Sequence, residues 1–404
     1  MKLENVNFNK SNEASVYGER YLNDIKGEFS KYSEVDPKYD PQSKTSHIDV
    51  PFIFLESKDL TIFESRPTPE LLTAIKKDEQ YKFFWHPDTE RVFSPDGFNK
   101  MQPTSSTRTM LDTDSGAFYA KLDLDKKHFR FIRRLKRDSV EHSILINKDI
   151  LEMLESADEE SIERFGILPE SLGLVINSRE HTDSGVIFRE SKPFPPLQEK
   201  TVILPYHSLY AEDPNAPNDK PLLVELCIMH SPKDPLGYFI ENIIGPIQDA
   251  WVLLLNNRGL LPELHGQNAL VEIGENLDIK RLIQRDFQGT YSDSTIRSGH
   301  SLKEFKKHIV GGESGTTRES QYSHVFDGMI GRYLFSRLAT TFCKYFTAYS
   351  YEAVCKEIKL RFLSIQGNKL DVFPETTYRF SAPAEEQRGN EVELKDTKLP
   401  PEFR

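Results

Sequence analysis

Short apolar runs broken by Gly, Asn, Asp and Pro occupy most of the chain, and longer stripes at helical spacing dominate its last third. Val50–Phe63 reads as the first strands, Pro69–Lys77 as a short helix, and Tyr81–Trp85 as a buried aromatic strand ending in His86-Pro87. Thr107–Leu111 and Phe118–Leu124 flank the turn-rich Asp112–Gly116, which predicts a hairpin. A helix is predicted from Asn147, with Asn as its cap, through Leu154 and on over Ser161–Phe165 to Gly166. Leu172–Ser178, Ser184–Phe188, Thr201–Tyr206 and Leu222–Met229 read as strands. Over Tyr238–Asn257, Phe239, Ile243, Ile247, Trp251, Leu254 and Leu255 recur at helical spacing, and Gly259 stands beyond as a terminator. Further helices are predicted near Ser301–Val310 and over Phe326–Ala348 and Tyr351–Leu363. The pattern as a whole predicts an α+β protein with an antiparallel sheet core and a helical C-terminal region. It divides into a weakly packed extension over 1–48 with one helix around Tyr17–Tyr32, an α+β subdomain over 49–200, a second subdomain over 201–380, and a charged tail over 381–404.

One stretch concentrates polar residues. Glu263, His265, Gln267 and Asn268 precede an apolar run, Ala269–Ile273, and Gly274-Glu275-Asn276 separates it from a second run, Ile279–Ile283. Two runs around a Gly/Asn turn predict an antiparallel hairpin. The start of its first strand then lies beside the end of its second, where Asp286 stands. Two carboxylates, an imidazole and two amides in one patch suit Mg²⁺ and a polar ligand.

The earlier hairpin carries cations. If Leu111 pairs with Phe118, Arg108 stands opposite Lys121, a repulsive pair that a bound anion would relieve. A helix-like run after Asp125 would turn Phe129, Ile132 and Leu135 inward and leave Arg133 and Arg137 to face a site. Arg133 lies in the cluster Arg133-Arg134-Lys136-Arg137, ordinarily a solvated face, and only its spacing from Lys121 singles it out. Arg108, Lys121 and Arg133 together suit a polyphosphate.

Composition narrows the class. With 52 Lys and Arg against 63 Asp and Glu the net charge is −11, which disfavours nucleic acid and acidic lipid as partners. Cys227, Cys343 and Cys355 are few and scattered, as in reduced cytoplasmic proteins, with neither disulfide nor zinc spacing. The start, MKLENVNFNKSNEAS, has no apolar segment of a signal peptide, and AWVLLL near Trp251 is too short to span a bilayer. His181, His300, His308 and His324 lack metal spacing. Gly311–Gly315 lacks the ending of a phosphate loop and reads as a hinge or lid. His86 suits either a structural or a site role, and Arg361 reads as a surface residue that could reach a carboxylate.

The order Ser106-x-Arg108-Thr109, Lys121, Arg133, then Glu263-x-His265-x-Gln267-Asn268 and Arg285-Asp286-x-x-Gly289 resembles the NRPS-independent siderophore (NIS) synthetases, the IucA/IucC family. The twelve residues from Lys121 to Arg133 agree with that pattern, as do the amphipathic helix and Gly259 ahead of Glu263. ESLGLVINSREHTDSGVIFRES is similar to the family's middle region, and His86-Pro87 to its His-Pro step. The likeness spans roughly residues 80–365. The stretch ahead of Ser106 is shorter than the family's usual N-terminal domain and lacks its His-Pro-x-His-Pro signature. His86-Pro87 runs on into Asp-Thr-Glu-Arg, which leaves the acid and its acceptor open.

The resemblance implies the palm-and-fingers fold of that family and an ATP- and Mg²⁺-dependent ligase. Such an enzyme adenylates a polycarboxylic acid such as citrate and condenses it with an amine or alcohol. It implies ATP contacts by Ser106, Arg108, Thr109, Lys121, Arg133, His265, Gln267 and Asn268, with Arg133 and His265 catalytic. Glu263 and Asp286 are the implied metal contacts, and a cytoplasmic homodimer is the implied assembly. Two alternatives stand beside it: nucleotidyl or phosphoryl transfer to another acceptor, and a non-catalytic nucleotide-binding homologue.

Overall fold

The computed structural model describes residues 2–23, 33–90, 94–128, 131–157, 163–177, 184–312, 315–366, 372–380 and 394–404. Two sheets and a helical mass form the body. The first sheet is built from β1 (Ile48–Glu56), β2 (Leu60–Glu64), β3 (Lys76–Lys77), β4 (Gln80–Phe84), β5 (Gly97–Pro103), β6 (Thr109–Asp112) and β7 (Phe118–Leu122). After the small ribbon of β8 (Lys127–His128) and β9 (Phe131–Ile132) comes β10 (Phe165–Ile167), which belongs to the second sheet. β11 (Glu170–Ile176) and β12 (Gly185–Glu190) return to the first sheet. Its nine strands run in the order β2-β11-β12-β7-β6-β5-β1-β4-β3, every pair antiparallel. The second sheet orders β10 beside β16 (Ile279–Gln284), then β15 (Ala269–Gly274) and β13 (Thr201–Pro205). A two-residue β14 (Leu260–Leu261) pairs with β17 (Tyr291–Ser292) to one side.

Alternation along the strands explains the layers. On β7, Phe118, Ala120 and Leu122 enter the aromatic core with Phe84 and Phe188, while Tyr119 joins a different cluster. The helix Arg137–Ser156 lays Val140 and Ile144 on the other face of the first sheet, against Val175 and Ile187. The second sheet packs on the C-terminal helices around Trp251, Tyr322 and Phe326. A small third core, holding Val16, Leu111, Tyr119, Leu270 and Ile283, ties the two sheets together. That core sets hairpin β6–β7 beside hairpin β15–β16.

The expected α+β class with an antiparallel core sheet and a helical C-terminal part is observed, with several local corrections; the second sheet is mixed, β10 running parallel to β16. The N-terminal helix is Ser11–Arg20, not Tyr17–Tyr32, and it is well packed, with Val16, Glu19, Arg20 and Leu22 buried; residues 24–32 lie outside the described ones. β5 was not anticipated. The helix expected from Asn147 starts ten residues earlier, at Arg137, so Asn147 is no cap. Its buried amide instead donates to Ser65 and accepts from the Glu170 backbone. The expected continuation over Ser161–Phe165 falls partly outside the described residues, and Phe165 opens a strand. Leu222–Met229 is a helix, Leu222–His230, because an unbroken apolar run fits either structure by periodicity and Pro221 starts a helix well. The helix placed near Ser301–Val310 is instead Ser294–Gly299, capped by Asp293. Gly259 ends the Gly245–Arg258 helix in left-handed backbone as expected. Phe403 joins the main core and the Arg404 guanidinium grips Asp327, so the last residues are docked. Arg361 is also engaged, donating to Asp249 and Gln248.

Candidate active site

Each hairpin brings its polar end to the same place. In β15–β16, Ala269 pairs with Gln284, and the Arg285 N–H continues the ladder to the Asn268 carbonyl at 3.1 Å. Asp286 follows at φ +64°, a left-handed conformation that Asp tolerates better than most residues. This turn directs its carboxylate to the Lys121 ammonium of β7, 2.6 Å away. A second bridge joins the hairpins where the Gln267 amide donates to the Ser105 hydroxyl at 3.1 Å.

The register of β6–β7 differs by one residue from the sequence expectation. Leu111 pairs with Tyr119, so Thr109, not Arg108, stands opposite Lys121. Arg108 lies in the turn ahead of β6. Its guanidinium donates to the Arg133 carbonyl and, at 3.4 Å, to Gln288. The run after Asp125 is the β8–β9 ribbon rather than a helix. Ile132 is exposed instead of inward, Leu135 is buried as expected, and Phe129 lies outside the described residues. Arg133 still reaches the cleft, because its backbone closes the ribbon onto Lys126 and Leu124. Among the described residues its guanidinium has no hydrogen-bonding partner; burial opposes its charge, and Asp286 and Glu263 favour it.

Ser106 accepts the Arg108 N–H at 3.4 Å, and Thr109 is fixed by its carbonyl to the Thr104 hydroxyl at 2.7 Å. His86 does not enter the cleft. Fully buried, it donates from Nε2 to the Thr107 carbonyl and accepts the Asp88 N–H at Nδ1, which steadies the turn carrying Arg108. Burial pushes its pKa down to about 4, so it is a neutral structural histidine.

Electrostatics separates the two carboxylates. Burial opposes the charge of Asp286, but Lys121, Arg189 and Arg108 outweigh it and hold this carboxyl well below the usual range. Glu263 is pushed up to about 7, first by burial and then by Asp286, with Lys121 and Arg133 only partly offsetting them. No group among the described residues donates a hydrogen bond to it. Gly289 is its neighbour: a Cβ there would stand 2.3 Å from a Glu263 carboxylate oxygen. Burial also depresses Lys121 and Arg133, lowers Arg108 to about 10, and lowers His265 to about 4. His265 takes the Gln267 N–H at Nδ1, 3.3 Å, so the neutral ring carries its proton on Nε2 and can donate it.

The raised Glu263 gives a pH signature. Folded protein keeps this proton up to about pH 7, whereas the unfolded chain loses it near 4.5. Across that window the folded state holds more protons, so this group's contribution to stability falls as pH rises. In chelator, Glu263→Gln is expected to stabilise the protein by about 1–2 kcal/mol more at pH 8 than at pH 5, allowing for partial exposure. Equal melting shifts at the two pH values would contradict this.

The described residues include no cluster of three or more His, Cys, Asp or Glu placed to hold a metal. Two carboxylates, one of them destabilised by the other, still fit a hard divalent cation that completes its shell with phosphates and water. Residues that the sequence did not single out complete the site. Ser105 and Gln288 adjoin recognised positions and could have been suspected from them. The buried pair Arg189–Glu170, 2.6 Å, lies behind Asp286. Glu19, from the N-terminal helix, carried no sequence signal.

A model described as the IucA / IucC family matches residues 89–211. Over those residues the chain is similar to that family. That region contains Ser106, Arg108, Thr109, Lys121 and Arg133; Glu263 to Gly289 lie outside it. The fold extends the likeness well beyond the region. The petrobactin biosynthesis protein AsbB from Bacillus anthracis str. Sterne superposes with a TM-score of 0.72 at 17% identity, over 96% of this chain and 74% of that one. ATP-bound aerobactin synthetase IucA from a hypervirulent Klebsiella pneumoniae gives 0.65 at 14%, covering 88% and 70%. Aerobactin synthetase IucC from the same pathotype gives 0.64 at 13%, covering 85% and 68%. No protein of curated function matches the chain in sequence. The NIS-synthetase fold expected from the IucA/IucC motifs is therefore the fold observed. No described helix is long and apolar enough to cross a membrane.

Proposed function

We propose that the chain is an ATP-dependent ligase that adenylates a carboxylic acid and transfers the acyl group to an amine or alcohol. The observation that carries this reading is the meeting of two hairpins in one cleft, Lys121 on Asp286 and Gln267 on Ser105, with the Arg133 guanidinium beside them making no hydrogen bond to any described residue. A cleft of buried cations with spare donors suits a triphosphate. The presence of an ATP-bound synthetase among the similar folds supports the choice of nucleotide.

In the first step a carboxylate oxygen attacks the α-phosphorus, the bond to the β-phosphate oxygen breaks, and pyrophosphate leaves. Arg108, Lys121 and Arg133 would hold the phosphate oxygens, with Ser106 and Thr109 lining the turn. Because these cations are already desolvated, their interaction with charge building on the equatorial oxygens is stronger than in water. Neutral His265 would donate from Nε2 to the reacting carboxylate or the α-phosphate, and Gln267 and Asn268 would fix its neighbour groups. Glu263 and Asp286 would hold Mg²⁺, which when bound neutralises phosphate charge. In the second step the amine nitrogen or hydroxyl oxygen attacks the acyl carbon, AMP leaves, and the nucleophile's proton passes to solvent. Three free cysteines suit a cytoplasmic setting.

The test is a pyrophosphate-release screen over citrate, 2-oxoglutarate, succinate and amino acids, each with and without amines. Release that requires an acid supports ligation. ADP as the product would favour phosphotransfer instead, and tight ATP binding without turnover would favour a non-catalytic role.

A further inference from the structure

We infer that Glu19 is a positioning residue for the nucleotide cleft, fastening the Ser105–Arg108 turn to the ends of β15 and β16. The inference rests on the nucleotide reading of that cleft. Glu19 lies in the last turn of the Ser11–Arg20 helix, well ahead of the family-matched residues. It is almost completely buried, as is its partner Arg285.

The knot joins the N-terminal helix, the turn ahead of β6 and the ends of β15 and β16. Both Glu19 oxygens accept from the Arg285 guanidinium, one from NH1 and one from NH2 at 2.9 Å. The Ser105 N–H donates to the same carboxylate at 3.1 Å. The Ser105 hydroxyl receives Arg285 NH2 and the Gln267 amide, each at 3.1 Å, and Arg285 Nε donates to the Gln267 carbonyl at 3.0 Å. One carboxylate thus fixes the residue before Ser106, the residue before Asp286, and Gln267. Arg285 outweighs the burial of Glu19 and keeps the carboxyl below its ordinary range, so the pair is charged.

The helix is seated for this purpose by close packing. Gly18 lies so near β13 that a Cβ would stand 2.8 Å from Leu204, and Val16 enters the small core with Leu111 and Ile283. Because phosphate groups must be met with sub-ångström accuracy, loosening this fastening should act on nucleotide affinity as well as on stability.

A second buried pair in the same hairpin provides the control. Glu272 and Arg281 face each other across β15–β16, four residues further along than Asn268 and Arg285, with Nε to Oε2 at 2.6 Å. The experiment compares full-length wild type, Glu19→Gln and Glu272→Gln by calorimetric titration with Mg·ATP, at a temperature where each is folded. Both variants are expected to melt lower than wild type. Glu19→Gln is expected to bind Mg·ATP at least tenfold more weakly, and Glu272→Gln within twofold of wild type. Should Glu19→Gln not fold, Ser105→Ala carries the test: it keeps the ion pair, removes the shared hydroxyl, and is expected to weaken binding at least threefold. Wild-type affinity in Glu19→Gln, or in Ser105→Ala where that variant is needed, would overturn the inference, as would an equal loss in Glu272→Gln. Failure of wild type itself to bind Mg·ATP would remove the nucleotide reading, and this inference with it.

Discussion

Arg133→Ala is expected to lower acid-dependent pyrophosphate release by about 10²–10³-fold while leaving stability within about 0.5 kcal/mol of wild type. The contrast follows from its surroundings. The guanidinium makes no hydrogen bond to any described residue, so its removal breaks nothing that holds the fold. Its backbone carbonyl, which accepts from Arg108, is retained in alanine. Burial opposes the charge of Arg133, while Asp286 and Glu263 favour it, so its removal leaves the balance of the folded state little changed. A large drop in rate with an unchanged melting curve is the signature of a side chain retained for a ligand. A rate within threefold of wild type would remove Arg133 from the phosphate site.

Lys121→Met should lose both properties. The ammonium is buried and holds the Asp286 carboxylate at 2.6 Å, while that carboxylate remains about a third open to the cleft. Methionine fills the space but leaves a negative charge without its main partner. A fully buried pair broken in this way costs about 3–5 kcal/mol; with one member partly solvated, about 2–3 kcal/mol is expected. Arg189 and Arg108 remain near Asp286 and limit the loss. The rate should fall by about 10³-fold, since a phosphate cation and the setting of Asp286 go together. Because the Asp286 carboxyl is held below its ordinary range mainly by Lys121, its contribution to stability is present at neutral pH and lost as pH falls through the acid range. Lys121→Met should therefore destabilise less at pH 3 than at pH 7. Denaturant melts at the two pH values check this, and equal destabilisation would contradict it.

The hairpin β15–β16 was legible because every cue in it is local. A Gly/Asn turn sits between two runs, and the side-chain period of a strand then decides which ends meet. Hairpin β6–β7 was recognised but misregistered by one residue. Its loop holds five residues, 113–117, closed by the Asp112 carboxylate on the Ser115 N–H and hydroxyl. An Asp-centred turn of that kind takes in one more residue than a symmetric reading of Asp112–Gly116 allows. The chain from Lys127 to Ile132 carries apolar residues at spacings that fit a helix. Tertiary pairing makes it a ribbon instead, with Ser33 bridging to His128. Glu19 was invisible for a different reason. Its partner Arg285 lies far along the chain, and a lone carboxylate on a polar helix has no pattern of its own. The order of motifs nonetheless led to the fold, because Ser106 to Arg133 and Glu263 to Gly289 are each short enough to be read intact.

The most direct measurement is exchange of radiolabelled pyrophosphate into ATP, run with Mg²⁺ and a panel of polycarboxylic acids and without any amine or alcohol. Formation of an acyl-adenylate in the cleft shared by Lys121, Asp286 and Arg133 should give exchange that appears only when an acid is added and that Arg133→Ala removes. Saturable ATP binding with no exchange for any acid, or exchange indifferent to the acid, would contradict it.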